Sequence, residues 1–171
     1  RVWSPKAVSR EAFASSAGAE TGLSVRAMAD AASATADADI VVIVTASPTA
    51  VVRDEDIAPG THICAVGACR PTQREMPTGL MARARLYVDS REAAIVEAGD
   101  IVLPLAEGAF GVEHIVGELG ALVLGHCEGR QSDEDITIFK SLGMAVEDVV
   151  AAQLAVERAH AAGLGTRFSL S

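Results

Sequence analysis

The sequence predicts an α/β fold in which helices flank a parallel sheet. Short apolar runs rich in β-branched residues alternate along the chain with stretches of helical pattern, as in sheets built from right-handed crossovers. Hydrophobic residues make up 50% of the 171 residues, whereas aromatic residues make up only 4%. The core is therefore expected to consist mainly of Ala, Val, Leu and Ile, which suits buried parallel strands.

Six short apolar runs are predicted to be strands. Residues 38–45 read ADIVVIVT, and this β-branched run is typical of a fully buried strand. Residues 62–66, HICAV, and residues 84–89, ARLYVD, have a similar apolar content. The remaining predicted strands cover residues 1–3, 23–27 and 166–170.

Helices are predicted between most of these strands. Ser4 is expected to cap a helix over residues 6–17, with Pro5 at its first helical position. Ser90 is expected to cap a helix that ends near Glu97. Further helices are predicted over residues 29–36, 114–124 and 143–162.

Charge and cysteine content restrict the class of protein. A net charge of −9 argues against a nucleic-acid or anionic-membrane surface, and no apolar run approaches the about twenty residues of a membrane span. Three cysteines without paired spacing favour free thiols in a reducing compartment, so a cytoplasmic location is expected. His114 and Glu118 share a predicted helix face, but two such groups do not predict a metal site.

The carboxyl ends of the predicted strands are the candidate site, because ligands of parallel sheets bind there. These ends carry the segments WSPK, VTASPT, VGACRP and VDS. In WSPK, Ser4 and Lys6 at a helix N-terminus suit the 2′-phosphate of an adenosine ribose. The alternative is an ordinary capped helix with a solvated lysine, and this segment taken alone favours that alternative.

The segment VGACRP places a glycine, a thiol and a guanidinium directly after a strand. Gly67 is expected to let the backbone approach something flat, and Cys69 would then face a reacting atom. The alternative is a tight turn with a buried, inert cysteine. No histidine lies beside Cys69 in the sequence, so a Cys-His nucleophilic pair is not supported. Thr45, in VTASPT, would lie along a bound cofactor, and its alternative is a simple Ser- and Pro-rich turn.

Four segments together resemble the ornithine cyclodeaminase/mu-crystallin family: AVGACRPTQRE, LYVDSREAA, EAGD and FKSLGMAVEDVVAA. The resemblance runs from Val2 to Leu170 and implies a homodimeric enzyme with a Rossmann domain and a substrate-binding domain. Residues 1–145 would be a Rossmann domain without its first strand and glycine-rich turn. Residues 146–171 would return to a missing substrate and dimerisation domain, and such a fragment is expected to be inactive alone.

The resemblance also implies hydride chemistry on carbon–nitrogen bonds. The cyclodeaminase branch has an aspartate at the position of Cys69 and an acidic residue at that of Ser4, whereas ketimine reductases have a serine where Cys69 stands. Both departures favour an NAD(P)H-dependent reductase of a small cyclic imino acid, such as pyrroline- or piperideine-2-carboxylate, with NADP(H) preferred and NAD(H) possible. Two alternatives remain open: an ornithine cyclodeaminase that forms proline and ammonia, and a non-catalytic, mu-crystallin-like NADP-dependent binding protein.

Individual residues take their roles from this resemblance. Cys69 would be the catalytic position, and together with Glu97 it would face the substrate, an imino or amino acid. The implied cofactor contacts are Ser4, Lys6, Thr45, Val66, Ala68, Ser141 and Leu142. Arg70 and Glu75 are interpreted as a structural salt bridge that fixes the loop, and Lys140 as a solvated or loop-bracing lysine.

Overall fold

The computed structural model describes residues 1–166 and residue 168, and it contains a five-stranded parallel sheet. The strands are β1 (Ile40–Ile43), β2 (His62–Ala65), β3 (Arg85–Val88), β4 (Ile115–Glu118) and β5 (Thr137–Lys140). Their order across the sheet is β1-β2-β5-β3-β4. The α/β prediction is therefore confirmed. The predicted strand over residues 166–170 lies, apart from residues 166 and 168, outside the described residues.

Seven α-helices accompany the strands in the described part of the chain. They are α1 (Ala7–Thr21), α2 (Ala31–Thr35), α3 (Thr78–Arg83), α4 (Arg91–Glu97), α5 (Gly99–Ala106), α6 (Leu119–Val123) and α7 (Ala145–Ala161). Two short 3₁₀ turns cover Asp54–Asp56 and Val112–His114. Over the residues that the structure describes, none of these helices is both long and apolar enough to cross a bilayer.

The core lies between the sheet and helices α3, α4 and α5. Ile63, Leu86 and Ile138, from the three central strands, are fully buried. Leu80 from α3 and Ile101 from α5 belong to the same cluster and are also fully buried. Burial of this aliphatic surface stabilises the sheet by about 25 cal/mol for each Å² removed from water, and it holds the strand ends rigidly in place.

The two amino-terminal strand predictions are confirmed only as a single parallel bridge. The Val2 N–H donates to the Arg26 carbonyl oxygen at 2.9 Å, and the Met28 N–H donates to the Val2 carbonyl oxygen at 2.8 Å. Strand β1 forms one edge of the sheet, and the expectation that it is fully buried is wrong, because Ile40 and Val42 on one face are exposed while only Val41 and Ile43 on the other face are buried. A groove of about 600 Å³ is lined by residues 1–5 together with residues 40–45, so it runs between the bridge and that edge.

The predicted helix over residues 114–124 is wrong, because this segment contains β4 followed by the short helix α6. Ile115 and Gly117 face inward in β4, and a Cβ at residue 117 would contact the Cys127 side chain. Short apolar runs fit both the strand and the helix pattern, and here packing decides in favour of the strand. As a consequence, His114 and Glu118 do not share a helix face.

Other elements differ from the sequence prediction at their ends or were absent from it. Ser4 does not cap α1, because the N-cap position is Lys6 and the Ser4 hydroxyl donates to the Lys6 carbonyl oxygen at 3.3 Å. The Ser90 cap is confirmed, since its hydroxyl accepts the Ala93 N–H at 3.3 Å. Helix α3, helix α5 and strand β5 have no counterpart in the prediction. Helix α5 contains Pro104, which is unfavourable inside a helix, and β5 follows an acidic stretch that hides its apolar run.

Candidate functional site

The carboxyl ends of four neighbouring strands form the candidate site. Thr45 follows β1, residues 66–76 (the Cys69 loop) follow β2, Asp89 follows β3, and Ser141 follows β5. The strand order makes these ends adjacent at one edge of the sheet. The Ser141 N–H donates to the Ala65 carbonyl oxygen at 3.0 Å, which joins the end of β5 to the end of β2. The structure thus brings together the predicted residues Thr45, Val66, Ala68, Cys69, Ser141 and Leu142.

Gly67 is required by a close approach of protein to protein. A Cβ at this position would collide with the Thr45 carbonyl oxygen and with the carboxyl group of Glu75. Gly67 was expected to make room for something flat, and the neighbour that the structure shows there is the buried Glu75 carboxyl. Glu75 Oε1 in turn accepts the Thr45 N–H at 2.5 Å, so the ends of β1 and β2 are locked together.

Cys69 is exposed at this edge rather than buried as an inert core thiol. Its Sγ donates to the Val66 carbonyl oxygen at 3.2 Å, and Val66 itself presents an apolar side chain that is 45% exposed. Between them, Ala68 is nearly buried and has a φ of 50°. Few non-glycine residues adopt this left-handed conformation, which costs of the order of 1 kcal/mol, so the surrounding contacts must hold it.

Three charged side chains, Glu75, Asp100 and Lys140, are completely buried beneath the Cys69 loop and form a buried triad. The Lys140 ammonium donates to the Gly67 carbonyl oxygen and lies 3.6 Å from Asp100 Oδ2. Asp100 Oδ1 accepts the N–H groups of Glu75 at 2.7 Å and Met76 at 3.0 Å. Burial raises the pKa of Asp100, although the charge of Lys140 opposes this rise.

The triad corrects two interpretations made from the sequence. Glu75 bonds the backbone of Thr45, and no ion pair between Arg70 and Glu75 is present among the described residues. Lys140 was interpreted as either a solvated or a loop-bracing lysine. It is buried, so the first alternative is wrong, and it braces the loop from inside the protein, as in the second. Asp100 was missed, although an acid placed directly before the apolar run IVLPL is the signal that could have found it.

Asp89 holds the turn that contains the predicted cofactor contacts Ser141 and Leu142. Its Oδ2 accepts the N–H groups of Leu142 and Gly143, both at 2.6 Å, and the Ser141 hydroxyl at 3.1 Å. Burial alone would raise the pKa of Asp89, but the donated N–H groups outweigh it and the pKa is lowered. The segment VDS marks this strand end in the sequence, but nothing in its pattern predicts the role of Asp89.

Ser4 and Lys6 lie apart from the Cys69 loop, at the start of α1. Ser4 lines the same groove as Thr45, so the groove connects the two groups of predicted cofactor contacts. Lys6 is exposed and forms no ion pair within the described residues. Arg10, which was not among the predicted cofactor contacts, donates to the Ser4 carbonyl oxygen at 3.0 Å and adds a second cation one helical turn further on.

Glu97, the predicted substrate contact, is exposed at the last position of α4. Two residues later the Gly99 N–H donates to the Ala68 carbonyl oxygen at 3.3 Å. A Cβ at Gly99 would also collide with the carbonyl oxygens of Arg70 and Gln73. The junction between α4 and α5 therefore packs tightly against the Cys69 loop and places Glu97 on the surface beside it.

A parallel sheet with converging loops at its carboxyl edge is typical of the Rossmann-like class of α/β proteins. Within this class, residues 1–163 match the family model described as the ornithine cyclodeaminase/mu-crystallin family. The chain belongs to that family, and the resemblance predicted from its four segments is confirmed.

The chain is similar in sequence to two reductases and in structure to a third. A Delta(1)-pyrroline-2-carboxylate reductase of Bacillus cereus is 41% identical over 128 residues, which are 74% of this chain and 39% of that protein. The ketimine reductase mu-crystallin of Mus musculus is 41% identical over 158 residues, or 90% of this chain and 45% of that protein. The Thermococcus litoralis Delta(1)-pyrroline-2-carboxylate reductase, solved with NADH and L-proline, superposes with a TM-score of 0.92 at 35% identity and covers 98% of this chain and 52% of that one. The chain thus spans about half of the length of these relatives.

Proposed function

We propose that the protein is an NAD(P)H-dependent reductase of a small cyclic imino acid. The observation that carries this proposal is the convergence of Thr45, the Cys69 loop and the Ser141–Leu142 turn at one edge of the sheet. Its support from relatives is that two similar proteins are pyrroline-2-carboxylate reductases and a third is a ketimine reductase. The bound cofactor would supply the hydride to the carbon–nitrogen double bond.

The residues at the strand ends fit the nicotinamide end of such a cofactor. Val66 offers a partly exposed apolar surface, and the hydroxyl groups of Thr45 and Ser141 lie on the neighbouring strand ends. These residues would hold and orient the ring, and Ala68 would close one side of it. Cys69 would contact the substrate beside the ring as a thiol that already donates to the Val66 carbonyl, and Glu97 would border the substrate from α4.

The cysteine at position 69 supports the reductase over the cyclodeaminase. The cyclodeaminase reaction must manage water and a developing positive charge, for which a carboxylate is suited and a thiol is not. Asp100 is completely buried and engaged with the backbone of Glu75 and Met76, and Glu97 lies on α4 rather than at the position of the thiol. Reduction of an imine needs no attacking water, so it suits the groups that are present.

Preference for NADP(H) over NAD(H) is part of the proposal. Ser4, Lys6 and Arg10 gather a hydroxyl and two cations at the start of α1, a 15-residue helix. Cations and a helix N-terminus together favour a phosphate, and no acidic side chain occupies the Ser4 position to bind a ribose hydroxyl instead. Use of NAD(H) remains compatible with the same groove.

The division of the chain and its assembly are proposed on the same grounds. Residues 1–145 would form the cofactor-binding domain, and residues 146–171 would belong to a substrate and dimerisation domain. In α7, Val146, Val150 and Leu154 repeat every four residues and are 45–60% exposed, a spacing that places them on one helix face. We propose that this face packs in a homodimer of the intact protein, which would act in the cytoplasm.

The deciding experiment uses the complete gene product that contains these residues. Oxidation of NADPH is followed with pyrroline-2-carboxylate and piperideine-2-carboxylate, and release of ammonia from ornithine is followed with NAD. Turnover of a cyclic imino acid without ammonia release supports the reductase. Ammonia release would instead establish the cyclodeaminase. Cofactor binding without turnover of any of these compounds would establish the non-catalytic binding protein.

A further inference from the structure

The Lys140 ammonium fixes the direction of one peptide group in the Cys69 loop. It donates to the carbonyl oxygen of Gly67 from the buried side of the loop. All described peptide bonds are trans, so the N–H of the same peptide group, which belongs to Ala68, points the opposite way, away from Lys140. None of the described residues accepts a hydrogen bond from this N–H.

The conformation of Ala68 shows that this arrangement is enforced. Its φ of 50° is unfavourable for alanine, and its own carbonyl oxygen accepts the Gly99 N–H at 3.3 Å. Both carbonyl groups next to the Ala68 α-carbon are therefore held by partners below the loop. A cation on the Gly67 carbonyl also polarises the peptide group, which makes the Ala68 N–H a stronger donor.

The rest of the buried triad makes this use of Lys140 possible. A buried ammonium requires a counter-ion, and Asp100 Oδ2 lies 3.6 Å from it. Asp100 is fixed through its other oxygen by two backbone N–H groups. Within the described part of the chain, Glu75 Oε2 and Asp100 Oδ2 have no hydrogen-bond partner, although both are buried. Apolar side chains of similar volume would often make this region as stable or more stable than buried charges do. The three charged side chains therefore indicate a role beyond packing.

We propose that Lys140 is a positioning residue that aims the Ala68 N–H at an oxygen atom of the bound ligand. This inference rests on the proposed function. The acceptor would be either the carboxamide oxygen of nicotinamide or the carboxylate of the imino acid, since both are oxygen acceptors that such a donor would hold. Lys140 acts through Gly67 and does not itself touch the ligand.

The test compares the parent protein with a charge-balanced variant, Lys140→Met together with Asp100→Asn. This pair removes the ammonium together with its nearest counter-ion, so the net charge of the buried triad is unchanged and Glu75 keeps its backbone partner Thr45, and asparagine keeps an oxygen for the two backbone donors. Arg85→Met, which removes an ion-paired cation at the opposite end of β3, is the matched control. The complete gene product is labelled with ¹⁵N, and the Ala68 amide resonance is followed without ligand, with NADPH, and with NADPH plus L-proline.

In the parent, the Ala68 resonance is expected to shift on addition of ligand. A shift with NADPH alone identifies the carboxamide as acceptor, and a shift that needs L-proline identifies the carboxylate. The folded variant is expected to show an altered Ala68 resonance before ligand is added, no ligand-dependent shift, and about tenfold weaker binding of the probe that shifts it. The comparison does not depend on the single variant Lys140→Met, so unfolding of that variant would not affect the result.

Three results separate failure of this inference from failure of the proposed function. A folded variant with the parental Ala68 resonance and parental affinity would overturn the positioning role while leaving the function intact. A parent that binds neither probe would refute the proposed function and with it the ligand contact. If the parent binds neither probe, the Ala68 resonance without ligand still tests whether Lys140 orients the Ala68 amide. An Ala68 resonance that is the same in the variant and the parent would refute that orientation as well.

Discussion

Asp89 accepts the backbone N–H of Leu142 at 2.6 Å, which joins the end of β3 to the turn after β5 across the sheet. The same oxygen accepts the Gly143 N–H and the Ser141 hydroxyl. A single buried carboxylate thus fixes the turn that is proposed to contact the cofactor. The arrangement explains why an acidic residue follows the apolar run of β3.

Replacing Asp89 by asparagine should destabilise the protein by about 1–3 kcal/mol. Both carboxylate oxygens accept backbone N–H groups, since Oδ1 accepts the Ser90 N–H at 2.8 Å and Oδ2 those of Leu142 and Gly143. An amide has only one oxygen, so its NH₂ group would face one of these two sets of donors. The free energy of unfolding is measured by denaturant titration at neutral pH. Asp37→Asn is the control, because the Asp37 side chain is exposed. The backbone of Asp37 has a positive φ, and asparagine tolerates that conformation. Equal stability of the two variants would contradict this role of Asp89.

The stabilising effect of Asp89 should also depend on pH. Its pKa is lowered in the folded protein, so the charged form is favoured by folding. Its contribution should be complete above the unfolded pKa of about 3.9 and should disappear as the pH falls through the lower folded value. The difference in unfolding free energy between the parent and Asp89→Asn should therefore narrow in acid. A difference that stays constant from neutral pH to pH 2 or so would show that the carboxylate charge is not involved.

Gly67→Ala should be strongly destabilising, with a cost of about 2 kcal/mol or more from overpacking. The added methyl group would meet the backbone of Thr45, which cannot rotate away, as well as the Glu75 carboxyl. Gly120→Ala is the matched control, because a Cβ at Gly120 in α6 would meet none of the described residues within 4 Å. That control should be neutral or stabilising by up to about 1 kcal/mol, since alanine favours a helix. Thermal unfolding of both variants provides the comparison, and similar midpoints would refute the steric argument.

The positions of the strand ends can be predicted from the sequence to a large extent. The runs ADIVVIVT and HICAV are apolar enough to identify β1 and β2, and the turn residues after them mark the site. Strand β5 is harder to recognise, because the acidic stretch SDED just before it disguises the short apolar run of Thr137–Lys140. Its central place in the sheet is set by pairing with both β2 and β3.

The buried triad shows what the sequence does not reveal. Glu75, Asp100 and Lys140 are far apart in the chain, and charged residues are normally found at the surface. Only the crossing of β5 beneath the Cys69 loop brings the lysine to the Gly67 carbonyl. A resemblance to a family can identify such residues as parts of motifs, but the contacts that they make require the structure.

Lys6→Ala should change the choice between cofactors in the complete gene product. Loss of a charge-assisted contact of about 1.5–3 kcal/mol should raise the KM for NADPH roughly tenfold to a hundredfold and leave the KM for NADH nearly unchanged. Arg53→Ala removes an exposed cation from another part of the surface and serves as control. If NADPH and NADH are used equally and the substitution changes neither KM, the assignment of Lys6 to a 2′-phosphate has to be abandoned.

Cys69→Ser should preserve most of the proposed reductase activity. The thiol is exposed and donates to the Val66 carbonyl oxygen, and a hydroxyl can make the same contact. Turnover at saturating NADPH should stay within about fivefold of the parent, the effect expected from a change of about 1 kcal/mol in one hydrogen bond. Cys127→Ser, at a half-buried cysteine beside Gly117 in β4, is the control for replacing a thiol elsewhere.

Cys69→Asp should reduce imino-acid turnover far more than the serine variant does. A carboxylate cannot donate to the Val66 carbonyl oxygen, so it would be repelled from the position that the thiol occupies. Its charge would also stand beside the site where hydride is proposed to arrive, and it could allow traces of ornithine turnover with release of ammonia. Cofactor affinity and thermal stability of each variant are measured first, so that a folding defect is not mistaken for lost chemistry. If the folded serine variant binds NADPH but no longer turns over the imino acid, the sulfur itself is chemically required, and the role of Cys69 as a small polar contact is wrong.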